Sequence, residues 1–136
     1  MIKISNKIIS NKSKTFFVAD IAANHDGSLK RAKKLIKLAA SSGADAAKFQ
    51  HFNADTIVSD YGFKELNQKL SHQSKWKKSV YNVYKDATID LKWTSELKEE
   101  CYKHGIIFFT SPYSLELVNT IDKYVPAFKI GSGDIT

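Results

Sequence analysis

The feature that most constrains the fold is an alternation. Short unbroken apolar runs, each closed by polar residues, are separated by stretches with helical spacing. Phe16-Phe17-Val18-Ala19 opens a run through Ile21 to Ala23, which the turn residues Asn24-His25-Asp26-Gly27 interrupt. Leu29, Ala32, Leu35, Ile36 and Ala39 then share one helical face, with Ser28 or Asp26 placed to cap its start and Gly43 its end. Asp45-Ala46-Ala47-Lys48-Phe49-Gln50 reads as a second strand, although alanine is a poor strand former and the assignment leans on the flanking pattern. The segment 52–73, with Tyr61-Gly62-Phe63 near its middle, is irregular, and such segments tend to be functional or mobile. Ser74 is predicted to cap a helix carrying Trp76, Val80, Val83, Tyr84 and Ala87 on one face. Asp90 is predicted to cap the next, with Leu91, Thr94, Leu97 and Cys101 inward and Gly105 as its stop.

Ile106-Ile107-Phe108-Phe109-Thr110 is a β-favouring run ended by Ser111-Pro112. A helix around Leu115–Tyr124 follows, presenting Val118 and Ile121. Pro126 introduces a fourth strand, Ala127-Phe128-Lys129-Ile130, leading into Gly131-Ser132-Gly133-Asp134. The stretch Lys3–Ile9, with Asn6-Lys7 at its centre, is compatible with a small β-hairpin outside the main sheet. Four buried strands alternating with helices predict an α/β fold with a parallel sheet and right-handed crossovers. An open doubly wound sheet and half of a closed barrel both satisfy that pattern. A full barrel takes roughly 250 residues. The 136 residues therefore make one domain, spanning 1–136, and about half of a barrel if a barrel is what they form.

Composition narrows the function classes. With 43% hydrophobic and 26% charged residues, the chain has too much apolar content for disorder. No apolar run approaches the roughly 20 residues that span a bilayer, so no membrane partner is expected. The opening MIKISNKIISNKSK lacks the apolar core of a signal peptide, and Cys101, the single cysteine, suits a reducing cytoplasm. Cys101 reads as a helix residue packed inward. The net charge of +7 suggests an anionic partner: nucleic acid, a membrane surface or a phosphorylated small molecule. Lys30, Arg31, Lys33, Lys34 and Lys37 crowd one helix, and Lys75, Lys77 and Lys78 another; both read as solvated faces. No nucleic-acid motif accompanies them.

The polar residues fall at equivalent places. Asp20 with Asn24-His25, Lys48 with Gln50, Thr110 with Ser111, and Lys129 with Ser132 and Asp134 each sit at a strand's C-terminal end. Parallel strands bring those ends to one edge, so the groups converge. An ammonium inside an apolar strand is costly without an anion. Lys48 and Lys129 therefore point either to an anionic ligand or to ion pairs with Asp20 or Asp134. Gly131-Ser132-Gly133 offers backbone N–H groups for an anion nest, though tight turns use the same residues. Asp20 and Asp134 fit proton transfer or simple neutralisation of the lysines. His25 and His51 follow strands without a metal-ligand spacing, and hydrogen-bonded or exposed loop histidines are the expectation.

Four segments carry a resemblance. Ala19-Asp20-Ile21-Ala22-Ala23-Asn24-His25-Asp26-Gly27 is similar to the A-E-I-G-x-N-H-x-G signature of the sialic acid synthase family. Ala44-Asp45-Ala46-Ala47-Lys48-Phe49-Gln50 resembles its G-A-D-x-x-K-F-Q strand, and Phe109-Thr110-Ser111-Pro112 its F-x-[ST]-P end. Val125-Pro126-Ala127-Phe128-Lys129-Ile130-Gly131-Ser132-Gly133-Asp134 resembles V-P-A-[FY]-K-I-x-S-G-E. The resemblance implies the N-terminal half of a (β/α)8 barrel and a divalent-metal-dependent condensation of phosphoenolpyruvate with an N-acylated amino sugar such as N-acetylmannosamine. It implies that Lys48, Ser111, Lys129 and Ser132 hold phosphoenolpyruvate, with Gln50 and Asn24 as supporting polar contacts. Asp20 and Asp134 stand where the family carries two active-site glutamates, each one methylene shorter. The metal, Mn2+ or Mg2+, is expected on ligands supplied by the other half-barrel, none in this chain, and a homo-oligomer, a dimer, is the expected assembly. The chain alone is accordingly expected to show little complete synthase activity. A related phosphoenolpyruvate-dependent sugar-acid synthase and a non-catalytic basic binding module are the alternatives.

Overall fold

The computed structural model describes residues 1–65, 76–132 and 135. At the N-terminus β1 (Ile2–Ile4) and β2 (Lys7–Ile9) form an antiparallel hairpin, with Ile2 opposite Ile9. The turn falls at Ser5-Asn6, where Ser5 adopts a left-handed φ of 53°. The hairpin is fastened to the main body by Lys7, whose Nζ lies 3.2 Å from Asp45 Oδ1. The other oxygen of Asp45 accepts from the Phe17 amide.

The main sheet holds β3 (Val18–Ala22), β4 (Ala46–His51) and β5 (Ile107–Pro112), in that order and all parallel. Between β3 and β4 runs α1 (Leu29–Ser41). Between β4 and β5 lie the short α2 (Ala54–Ile57) and α3 (Asp60–Glu65), then α4 (Val80–Ala87) and α5 (Trp93–Lys103). After β5 come α6 (Leu115–Ile121) and a 3-10 turn over Asp122–Tyr124. Sequential strands are spatial neighbours, and α1 and α5 touch each other while packing on β3–β4 and β5 respectively. A doubly wound sheet reverses its strand order and splits its helices between two faces. Neither happens here, so the arrangement is that of a barrel segment.

Helix α1 forms where its spacing predicts. The Ser28 hydroxyl accepts from the Arg31 amide, Ala32 and Ile36 are fully buried, and Gly43 follows the helix at φ 85°. Ala46 and Ala47 hold their places in β4 with no exposure, despite a weak strand propensity. Burial decides it: Ala47 joins Ala32, Ile36, Phe49, Leu97, Cys101 and Phe108 in the core, where small side chains let helix and sheet approach closely.

Four expectations need correction. The fourth strand does not form as a strand; Phe128 makes a single parallel bridge to Thr110, and the Lys129 amide donates to the Thr110 carbonyl. Pro126 has no N–H to add to that ladder. Strand β3 is not buried on both faces: Ile21 packs in the core beneath the helices, whereas Val18 and Asp20, on the other face, are exposed. The helix bearing Val80 starts six residues after Ser74, which lies outside the described residues; Ser79 caps it instead, and Trp76 precedes it. Finally, Asp90 accepts from the Lys92 amide to make a turn ahead of α5, so Leu91 is left 44% exposed rather than inward.

Candidate functional site

Strand register sorts the side chains onto two faces, since residues opposite each other in a parallel pair point the same way and neighbours alternate. Asp20 is opposite Lys48, and Lys48 is opposite Phe109. Gln50 is opposite Ser111. These five residues share the face turned away from α1 and α5. Phe128 bridges Thr110 and the Lys129 amide donates to the Thr110 carbonyl, which brings the backbone of Lys129 to the β5 end of the sheet.

Lys48 is only 6% exposed, and its Nζ lies 2.9 Å from Asp20 Oδ1. Of the two readings of Lys48, the ion pair with Asp20 is the one the structure contains. Ser111 is fully buried, and its Oγ has no hydrogen-bond partner among the described residues. Gln50 Nε2 contacts the Tyr113 hydroxyl at 3.4 Å. Lys129 is half-buried, Gly131 is buried and Ser132 is exposed. Asp134 and Gly133 lie outside the described residues, and with them the glycine nest and the second carboxylate. Asn24 is a turn residue first: its side-chain amide donates to the Ile21 carbonyl at 2.9 Å.

Strand β3 leaves the sheet at the site. Its register to β4 shifts between Asp20 and Ala22, and Ala22 takes a φ of 52°. Bulges of this kind re-aim a side chain beside active sites. The family signature has glycine where this chain has Ala22, which matches the conformation observed.

On the opposite face lies a polar cluster that sequence reading missed. His51 closes β4 and is fully buried, not a loop residue. Its Nδ1 lies 2.7 Å from Thr110 Oγ1 and its Nε2 3.0 Å from Thr94 Oγ1. A neutral imidazole has one donor and one acceptor, so one threonine hydroxyl donates and the other accepts. Burial, helped by the nearby His25, pushes the His51 pKa down to about 4. His25 is also fully buried, set edge-on against Trp93; its Nδ1 accepts from the Gly27 amide and its Nε2 has no partner. Burial lowers its pKa too, against the opposing charge of Asp26. The period of β4 carried the signal: Ala47, Phe49 and His51 alternate onto the core face.

The lysines of α1 behave as solvated side chains, with Lys33 paired to Glu96. Lys77 and Lys78 precede α4 instead of lying on a helix, Lys78 pairing with Asp86 at the surface, and Lys75 lies outside the described residues. No described helix is long and apolar enough to cross a membrane.

A parallel β/α segment with cationic and unsatisfied groups at the C-terminal strand edge is the arrangement in which barrel enzymes bind anions. Residues 35–136 match the NeuB family, and the chain belongs to that family. It is 38% identical over 124 residues to an N,N'-diacetyllegionaminic acid synthase of Campylobacter jejuni, a match covering 90% of this chain and 36% of the relative. A pseudaminic acid synthase of the same species is 35% identical over 121 residues, covering 88% and 34%. Among solved structures, the N-acetylneuraminic acid synthetase of Leptospira borgpetersenii, in complex with citrate, superposes with a TM-score of 0.71 at 27% identity, covering 97% of this chain and 43% of that one. The chain thus spans about a third of the length of these curated relatives.

Proposed function

We propose that this chain supplies the phosphoenolpyruvate-binding half of a synthase that condenses phosphoenolpyruvate with an N-acylated amino sugar to give a sialic-acid-type nonulosonic acid. The observation that carries the reading is the buried Lys48 ammonium on one sheet face with the buried Ser111 hydroxyl, which has no partner among the described residues. Legionaminic and pseudaminic acid synthases among the relatives support the acceptor class.

In this reaction C3 of phosphoenolpyruvate attacks the open-chain aldehyde carbon of the sugar. Water adds to C2 and inorganic phosphate departs. Lys48 and Lys129 neutralise the phosphate and carboxylate of the substrate, and Ser111 and Ser132 donate to its oxygens. Fixed charges in a water-poor mouth favour the transition state because they need no reorganisation as charge moves to the leaving phosphate. Gln50, held against Tyr113, borders the same mouth.

The divalent cation expected of this chemistry is proposed to take its ligands from outside this chain. Among the described residues no three His, Cys, Asp or Glu side chains are gathered as a metal ion requires, and both nitrogens of His51 are engaged. The cytoplasm and a homodimer are the proposed setting. Calorimetric titration of the chain with phosphoenolpyruvate tests the reading. Saturable binding by the unmodified chain, lost in Lys48→Met, is the expected result; binding that ignores Lys48 would overturn it.

A further inference from the structure

The ion pair between Lys48 and Asp20 is unequal. The lysine side chain is 8% exposed and the aspartate 59%. A surface carboxylate that lets go of its partner regains water, whereas a buried ammonium does not. Lys48 therefore needs an anion at all times, but Asp20 does not need Lys48. Asp20 also leaves the site incomplete. The Ser111 hydroxyl, on the same face, remains buried without a partner while the ion pair is made. A small anion reaching the ammonium gains a contact there that Asp20 does not make.

Asp20 is placed to leave. It is the last residue of β3 in register before the bulge, and its side chain is 59% exposed. A released carboxylate turns toward solvent without displacing a packed neighbour.

We propose that Asp20 is the resting counter-ion of Lys48: a tethered competitor that holds the ammonium until a phosphorylated or carboxylic small anion displaces it. The proposal rests on Lys48 being an anion-binding residue. A tethered carboxylate competes at high effective concentration. It therefore excludes weak monoanions and admits only ligands that bring more than one contact. Asp20 acts here as a positioning and selecting residue through Lys48, which is a different role from proton transfer.

The test is calorimetric titration with inorganic phosphate and with phosphoenolpyruvate, using the unmodified chain, Asp20→Asn and Asp20→Glu. Asp20→Asn is expected to bind phosphate about tenfold tighter, and Asp20→Glu to stay within about threefold of the unmodified chain, as removing or keeping a tethered competitor dictates. Equal or weaker binding by a folded Asp20→Asn overturns the proposal. That variant leaves a buried ammonium uncompensated and is at risk of not folding, so a second measurement uses the unmodified chain. The carbon-13 resonance of the Asp20 carboxyl group is followed through a phosphoenolpyruvate titration. It is expected to move and saturate with the binding curve; a stationary resonance during binding overturns the proposal as well. Lys48→Met separates the two levels. If it binds phosphoenolpyruvate as the unmodified chain does, the underlying reading fails, whatever Asp20 does.

Discussion

The two faces of the β4–β5 pair are built from the same two strands and treat their polar groups in opposite ways. Toward the helices, His51, Thr94 and Thr110 satisfy one another inside the core. Toward the open face, among the described residues, Lys48 is neutralised by one exposed carboxylate and the Ser111 hydroxyl has no partner. Buried polar groups are nearly always paired, so each exception calls for an explanation; among the described residues the exceptions are Ser111 Oγ on the open face and His25 Nε2 beside Trp93. Adjacent residues of β5 show the contrast most sharply. Thr110 and Ser111 are both fully buried hydroxyls, yet among the described residues only the first has a partner.

Lys48→Met tests the open face most severely. Phosphoenolpyruvate binding is expected to fall beyond measurement, a loss of about a thousandfold, or ~4 kcal/mol, as for other desolvated charge contacts. Melting should change little, because the Asp20 left behind is exposed.

Acid tests the helix face next. Between the unfolded value of 6.5 and the folded value of about 4, the folded chain carries fewer protons on His51 than the unfolded chain does. Stability attributed to His51 is thus complete above pH 6.5 and lost as pH falls toward 4. The loss is on the order of 3 kcal/mol, with His25 changing in the same direction. Urea unfolding at pH 7, 5.5 and 4.5 measures it, and a flat profile would break the assignment of His51 as a buried neutral group.

The neighbouring hydroxyls give a paired comparison. Thr110→Val should cost about 2 kcal/mol of stability by stripping a partner from buried His51, with little effect on ligand affinity. Ser111→Ala should do the reverse: affinity for phosphoenolpyruvate falls roughly tenfold, ~1.4 kcal/mol, and the denaturation midpoint holds or rises. If both variants behave alike, the division into two faces is wrong.

The smallest effect concerns the bulge. Ala22 sits at φ 52°, where a Cβ is unfavourable and glycine is not. Ala22→Gly should therefore raise stability by about 1 kcal/mol in urea titrations.

The barrel-like alternation was legible because buried parallel strands leave unbroken apolar runs, and β5 and α1 lie close to where their patterns place them. The fourth strand was less so, since a strand is a pairing rather than a property of residues 127–130, and Phe128 has only the one bridge. Among the site residues, Lys48 stood out because its charge breaks an apolar run. His51 reads as a loop residue because the strand pattern ends at Gln50, and its two hydroxyl partners lie 43 and 59 residues away.

The sequence by itself determined the period of the elements, the polar ends of the strands and the motifs that place the chain in its family. Those properties are local, since a side chain's cost in a strand or helix depends first on its near neighbours. Only the tertiary structure decided which lysine is paired, which hydroxyl is left over and which histidines are sealed in. Hydrogen bonds and ion pairs are settled between strands and helices brought together by the fold, at separations that no local pattern records.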